Sequence, residues 1–309
     1  MGGKCLAAVD IGGTTIKMAF LTVEGDIIRK WAIPTDQADG GTNIVSDIVR
    51  SFSNELKQDG LTNVDVIAVG VGAPGPADPI KGTISGAVNL GWVNNYPLKR
   101  LLEEALKLPV FIENDANCAA LGEMWRGAGN GTGDLVCITI GTGVGGGIVS
   151  KGMIFTGVSG SAGEIGHITV VPENGILCNC GKHGCLETVA SATGIVNLYK
   201  EEGKEAPDAR AVFLQASKGD EAAKRVIDRC AYYLGLAIGN IANTMNPAKI
   251  VVGGGVSEAG DALLLPLEQY VRQYTFPRAM EVLSIEKATL GNDAGVIGAA
   301  YLAKVKTVS

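Results

Sequence analysis

An apolar run from Lys4 to Ile11 carries Asp10 near its end, breaks at Gly12-Gly13-Thr14-Thr15, and resumes as Ile16 to Thr22. About 130 residues further on the plan recurs: Leu135 to Ile140, the turn Gly141-Thr142-Gly143-Val144-Gly145-Gly146-Gly147, then Ile148 and Val149. Strand, Gly/Thr turn and strand predict a hairpin whose tip exposes backbone N–H groups. Glycine lets such a backbone approach an anion closely, and threonine hydroxyls add donors. Asp10 is placed to hold a hydrated Mg²⁺ beside a bound phosphate. A single hairpin of this kind is also an ordinary Gly-rich turn with a capping Asp. Two of them, each opening one half of the chain, predict a duplicated fold with a phosphate held between two lobes. The first turn is not a Walker A loop, because the G-K-[ST] ending is absent. Nor is it a dinucleotide fingerprint, because no helix follows directly.

A chain of 309 residues is long for one core, which also favours two lobes. The formal net charge of −6 argues against a nucleic-acid backbone as main partner, since that needs a basic face. Cys5, Cys118, Cys137 and Cys230 lie in apolar contexts and read as small core residues, the cysteine usage of a reducing compartment. The first residues lack the apolar core and cleavage site of a signal peptide, and no apolar run is long enough to span a bilayer. A soluble cytoplasmic protein is expected, with neither a nucleic-acid nor a membrane partner.

Between the hairpins, Asp26 to Ile33 reads as the third strand of a meander and Asn43 to Leu56 as an amphipathic helix. Val64 to Val71 has the near-continuous apolarity of a central parallel strand and runs into Gly72-Ala73-Pro74-Gly75-Pro76. Open α/β sheets place ligands at that end of a strand. Asn89 follows in a loop, where contact with a polar ligand and bracing of a turn fit equally. Leu98 to Leu106 predicts a helix, Pro109 to Glu113 a strand delivering Asn114 and Asp115, and Asn117 to Trp125 a helix. Asp115 at such a junction is either a helix cap or a general base in a cleft, and the residues alone leave both open. Further on come helices over Ala190–Lys200, Ala222–Asn246 (stopped by Pro247) and Ala262–Tyr274, with a charged surface loop over Lys204–Ala209. After a strand at Lys249–Val252, Gly253-Gly254-Gly255 is a tight turn or a platform for a flat adenine and ribose. A closing helix from Ala294 is expected to cross back onto the first lobe. The division that follows is 1–117 plus 294–309 for the smaller lobe and 118–293 for the larger.

The stretch Glu164 to Glu187 gathers both histidines and three cysteines. His167, Cys178, Cys180 and Cys185 supply the imidazole and thiolate donors of a tetrahedral structural zinc. The C-x-C pair is tighter than the usual spacing, and a cluster of buried thiols without metal is the alternative. Glu164 and Glu187 flank the four donors. A metal here would pin a loop so that these carboxylates and His167 face a substrate.

Together, Asp10–Lys17 (DIGGTTIK), Gly70–Pro76 (GVGAPGP), Glu113–Asn117 (ENDAN), Thr139–Gly147, Glu164–His167, Cys178–Glu187 (CNCGKHGCLE) and Val252–Val256 (VGGGV) resemble the ROK family of the actin/sugar-kinase superfamily. The likeness runs over nearly the whole chain. ENDANCAALGEMWRGAG and ETVASATGI look most like the Bacillus-type ATP-dependent glucokinases of that family. The resemblance implies an α/β, two-lobe actin-like fold with a ribonuclease-H-like core in each lobe and an interlobe cleft. It implies transfer of phosphate from ATP, with Mg²⁺, to O6 of glucose. Asp115 becomes the general base, and Asn114, Glu164, His167 and Glu187 the other sugar-binding residues; Asn89, from its place in the loop, is counted as a further substrate-binding candidate. Asp10, Gly12, Thr14 and Thr15 match the first phosphate loop, Thr142 and Gly143 the second, and Gly254 and Gly255 the adenosine loop; Gly13 and Lys17, in the same DIGGTTIK stretch, are counted with the cofactor-binding residues. His167, Cys178, Cys180 and Cys185 match the zinc ligands. A homo-oligomer, dimer or tetramer, is expected from the same likeness. N-acetylmannosamine, N-acetylglucosamine, fructose and mannose remain rival sugars, because related pockets differ by few contacts. Polyphosphate is a rival donor, which the GGG loop disfavours. A sugar-responsive repressor would need a DNA-binding domain ahead of the first phosphate loop and a basic face.

Overall fold

In the computed structural model, which describes residues 4–58, 65–92 and 94–308, the chain separates into two units. Unit 1 comprises 1–131, 152–162 and 292–309, and unit 2 comprises 132–151 and 163–291. Val64, the first residue of the expected strand Val64–Val71, lies outside the described residues, as do residues 1–3. In chain order the first elements are β1 (Cys5–Ile11), β2 (Thr15–Thr22), β3 (Ile27–Pro34), α1 (Ile44–Gln58), β4 (Val66–Ala73), the two-residue strands β5 (Ala77–Asp78) and β6 (Thr83–Ile84), α2 (Leu98–Leu106), β7 (Val110–Asn114) and α3 (Asp115–Arg126). Then come β8 (Leu135–Ile140), β9 (Val144–Ser150), the short β10 (Met153–Ile154), α4 (Glu187–Ala190), α5 (Ala192–Glu201), α6 (Ala209–Ser217), α7 (Glu221–Met245), β11 (Lys249–Gly253), α8 (Asp261–Tyr274), α9 (Pro277–Met280), β12 (Ser284–Lys287) and α10 (Ala294–Val308).

Unit 1 is built on a sheet of order β3-β2-β1-β4-β7. The first three strands form the antiparallel meander, β4 pairs with β1 in parallel, and β7 pairs with β4 in parallel. β1 is central, so both its faces are covered, and its apolar residues are all buried. α1 packs through Ile44, Ile48, Phe52 and Leu56, and α2 through Leu98, Leu102 and Leu106, the i, i+4 stripes of core-facing helices. α10 lies against α3 and β4 at glycines. A Cβ on Gly298 would fall 1.6 Å from the Cys118 carbonyl oxygen, one on Gly122 2.2 Å from that of Ala294, and one on Gly70 1.7 Å from that of Ala299. The division at 117/118 expected from sequence would cut α3. The whole helix instead belongs to unit 1, because its small-residue face is closed by α10. That helix also starts two residues earlier than expected, at Asp115.

Unit 2 repeats the plan in the order β9-β8-β11-β12, with β8 and β9 antiparallel and β11 and β12 parallel to β8. The Gly-rich turn is shorter than expected. Gly145, Gly146 and Gly147 are paired within β9, where a Cβ on Gly146 would come within 2.8 Å of the Gly163 oxygen. α7 is capped by Asp220, whose carboxylate accepts the Ala223 N–H, and it stops where Asn246 turns left-handed before Pro247. The helix expected over Ala190–Lys200 is two, α4 and α5, broken at extended Ser191, whose hydroxyl caps α5. α6 was not expected. It follows the charged loop, with Asp208 as its N-cap accepting the Ala211 N–H.

Candidate active site

The first hairpin of unit 1 closes as the Gly/Thr pattern requires, with the Gly12 N–H donating to the Thr15 oxygen at 3.0 Å. Gly12 has no room for a side chain, since a Cβ would lie 2.8 Å from that oxygen. Thr14 and Thr15 are exposed at the tip. Asn89 reaches the same tip, its amide nitrogen 3.0 Å from where a Gly13 Cβ would stand. Asp10 and Lys17 are cross-strand partners, with Nζ and Oδ2 3.5 Å apart. Lys17 also donates to the Asn292 carbonyl at 3.1 Å. Gly295 of α10 packs on the Asp10 carboxylate, leaving no space for a Cβ.

At the end of β7, Asn114 and Asp115 divide the work that the sequence left undecided. Asn114 is the cap: its Oδ1 accepts the Ala116 and Asn117 N–H groups at 2.9 and 3.2 Å. Its Nδ2 donates to the Gly75 carbonyl in the turn after β4, at 3.2 Å. Asp115 is thereby the first helical residue. Its Oδ1 accepts the Ala116 N–H at 2.8 Å, and it forms no ion pair among the described residues. Burial pushes its carboxyl above the usual carboxylate range. Asp10 is raised as well, by burial first and by the negative charge of Asp115, against the lowering effect of Lys17. A carboxylate raised by burial and by a second carboxylate nearby suits a cation. Glu113, just before this junction, is 4% exposed. Its Oε1 accepts the Asn114 N–H at 2.8 Å and the Asn117 side-chain amide at 3.0 Å. Sequence reading took Glu113 only as the end of a strand.

In unit 2 the second hairpin tip, Gly141–Gly143, is held from below. The Ala192 N–H donates to the Gly141 oxygen at 2.8 Å, and the Thr193 hydroxyl to the Thr142 oxygen at 3.0 Å. Glu187 Oε2 lies 2.8 Å from the place of a Gly143 Cβ, so a side chain there would displace that carboxylate. Gly254 is left-handed (φ +83°), and a Cβ there would strike the Ile140 backbone at 2.5 Å. A cavity of about 720 Å³ opens between this turn and the hairpin, lined by Gly141, Thr142, Gly255 and, unforeseen from sequence, Arg210, Phe213 and Glu258. The signal for α6 was present in Asp208 ahead of an apolar-periodic stretch, which marks a helix start. Nothing local announced which way that helix would face.

His167, Cys178, Cys180 and Cys185 come together, each offering a ligand atom within 4.8 Å of the others. Cys178 Sγ lies 3.6 Å from His167 Nδ1, and Cys180 Sγ 3.6 Å from Cys185 Sγ. Tetrahedral zinc, with bonds of about 2.3 Å to sulfur and about 2.0 Å to nitrogen, has ligand–ligand edges of roughly 3.5–3.8 Å. The donor set fits such an ion in chemistry, and these two edges match its spacing. Gly184, left-handed and against the Val171 carbonyl, lets the loop turn back so that Cys185 can join. Glu187 Oε1 lies 2.9 Å from Cys178 Sγ and 3.8 Å from His167 Nδ1, and Glu164 Oε2 lies 3.8 Å from Nε2. The two carboxylates thus flank the imidazole. His183 stays outside the cluster, its Nδ1 3.0 Å from the Gly175 oxygen.

A hairpin-led mixed sheet present twice, with a Gly/Thr tip in each copy, defines the two-lobe actin-like fold of the sugar kinases. The chain belongs to the ROK family, whose profile matches residues 6–306. It is 52% identical over 318 residues to a glucokinase of Halalkalibacterium halodurans, covering 98% of this chain and 96% of that one. The crystal structure of a ROK hexokinase from Thermus thermophilus superposes with TM-score 0.85 at 32% identity, covering 98% of both chains. A ROK family glucokinase from Streptomyces griseus, solved in complex with glucose and AMPPNP, gives TM-score 0.75 at 34% identity, with 97% of this chain and 99% of that one covered. Among the described residues no helix is long and apolar enough to cross a membrane.

Proposed function

We propose that this protein is a glucokinase that transfers the γ-phosphoryl group of ATP to O6 of glucose. The observation that carries the reading is Asp115: a half-buried carboxylate at a strand-to-helix junction, with Asn114 as the helix cap and without a cationic partner among the described residues. A sugar hydroxyl is a poor nucleophile at neutral pH, and a positioned carboxylate that takes its proton gains about 10²–10⁴-fold. Asp115 is that base, its raised affinity for a proton matching it to the task. Asn89, Asn114, Glu164, His167 and Glu187 are the remaining sugar-binding residues. In the phosphate-handling role, the N–H groups and hydroxyls of Gly12–Thr15 and Thr142–Gly143 receive oxygens of the triphosphate, with Lys17 as the nearby cation. The 720 Å³ cavity beside Gly254 and Gly255 is large enough for adenosine, with Phe213 on its wall. Phosphoryl transfer leaves little covalent chemistry to a protein, so positioning and charge stabilisation supply most of the acceleration.

Asp10 is the residue that would hold Mg²⁺, which when bound neutralises charge on the β- and γ-phosphates. His167, Cys178, Cys180 and Cys185 would hold zinc. With four protein ligands the ion would have no open position for water, so its contribution would be to order the loop. Imidazole so fixed holds its ring between Glu164 and Glu187. Cytoplasmic residence and a homo-oligomeric state belong to the same reading.

A coupled assay with ATP-Mg²⁺ over a panel of hexoses and N-acetylhexosamines, with polyphosphate as a parallel donor, tests this. Glucose is expected to give the largest kcat/KM, and product to be phosphorylated at O6. Another hexose in first place would replace the substrate while keeping the base. Sugar binding without turnover would remove Asp115 from its role.

A further inference from the structure

Unit 1 holds a second cavity, of about 380 Å³, formed by side chains of α2, β7, α3 and α10 together with residues 152–156. It lies within the size range of small-molecule sites. Ile112, Leu121 and Leu302 give it an apolar wall, and three charged side chains reach it: Lys99, Lys306 and Glu113. Neither lysine is held by a close ion pair, and one oxygen of Glu113 is left over. Lys306 forms no ion pair or hydrogen bond among the described residues, and its charge acts on Glu113. The nearest carboxylate to Lys99, on Glu103, stands 3.9 Å away, and the ammonium hangs 5.7 Å from the centre of the Phe111 ring. Glu113 uses Oε1 for both of its donors, Asn114 N–H and the Asn117 amide, and Oε2 accepts no hydrogen bond among the described residues.

This set asks for a particular kind of molecule. Two ammonium groups call for an anionic head. A carboxylate oxygen at the buried end calls for a hydrogen-bond donor that is not itself an anion, and a hydroxyl meets that need. The three aliphatic side chains call for a short carbon skeleton. We propose that this cavity is a second ligand site, taking a small hydroxylated organic anion of the phosphorylated or carboxylated polyol class. Its head lies between Lys99 and Lys306 and its hydroxyl donates to Glu113 Oε2. Because the same carboxylate holds the Asn114 N–H, an occupant touches the support of the Asn114–Asp115 junction and changes turnover. Binding stands apart from the kinase reading, and only the change in turnover rests on it.

The test is methyl NMR on the full chain labelled at isoleucine and leucine, titrated with sn-glycerol 3-phosphate, and in separate arms with inorganic phosphate and with glycerol. Saturable shifts at Ile112, Leu121 and Leu302 are expected with the first probe, with weaker binding of the other two. The Lys99→Ala/Lys306→Ala double variant should weaken binding about tenfold or more, in line with two charge-assisted contacts, and keep the wild-type methyl spectrum elsewhere. Shifts that never saturate, or that saturate equally in the double variant, overturn the site. Inorganic phosphate binding as tightly as sn-glycerol 3-phosphate overturns the assigned ligand class. Since the readout is the methyl signal and not activity, a chain that proved inactive on every sugar would leave this result interpretable.

Discussion

Asp115 and Asn114 are neighbours in sequence with opposite duties, and substitution separates them. Asp115→Asn keeps the size and the N1 position but cannot take a proton. Its kcat is expected to fall about 10²–10⁴-fold, with the glucose dissociation constant by calorimetry within a few-fold of wild type. A variant that turns over at nearly the wild-type rate would contradict the base assignment. The wild-type pH profile carries the same information. A base works only when ionised, and burial raises the Asp115 carboxyl, so the acid limb of kcat/KM should lie above the ordinary carboxylate range and fall with decreasing pH through it. Glu113→Ala strands two buried donors, the Asn114 N–H and the Asn117 amide, whose own Oδ1 already lacks a partner. A loss of about 1–3 kcal/mol by denaturant titration is expected. The role of Glu113 could not be read from the chain, because its partners are defined by how the β7–α3 junction folds back on itself.

At the scale of elements, two constructions bear the most. α10 meets α3 at glycines, and backbone carbonyls occupy the space where a methyl group would go. Gly298→Ala should therefore lower stability by about 1–3 kcal/mol or more, seen as a lower urea midpoint at unchanged slope. An unshifted midpoint would mean that the two helices part without cost. The Cys/His loop that the proposal gives to zinc is the second. Removing one of four ligands in Cys180→Ser is expected to abolish stoichiometric zinc in the purified protein by elemental analysis and to lower Tm, with KM for glucose raised through His167. A full zinc complement in that variant would remove Cys180 from the donor set. Both elements were partly legible. The glycines of GVIGAA and the CNCGKHGC spacing stand out in the chain, but sequence placed the lobe boundary inside α3, since a helix's allegiance depends on which distant segment covers its small-residue face.

For the molecule as a whole, burial raises Asp10, Glu113 and Asp115, all in unit 1. A carboxyl raised in the fold binds its proton more tightly there than in the unfolded chain. Its contribution is fully present below the unfolded value and is lost as pH rises through the folded one. The ligand-free protein should thus lose stability between ordinary carboxylate pH and the raised values, by up to about 1.4 kcal/mol per pH unit for each group. Asp115→Asn should then be more stable than wild type at neutral pH and converge with it in acid, as urea titrations at the two pH values would show. Equal stability at neutral pH would remove Asp115 from this account. Local chemistry alone determined the strand-turn-strand hairpins, the amphipathic helices and the four Cys/His side chains of the proposed metal site. Each depends on glycine's freedom, on apolar period or on ligand type within a short stretch, all of which are written along the chain. Only the tertiary structure decided that Asn114 rather than Asp115 caps α3, that Glu113 braces that junction, that α6 walls the cavity beside Gly255, and that α3 belongs with α10. Those outcomes depend on close approach between segments far apart in sequence, where the packing of one surface against another sets each side chain's partners.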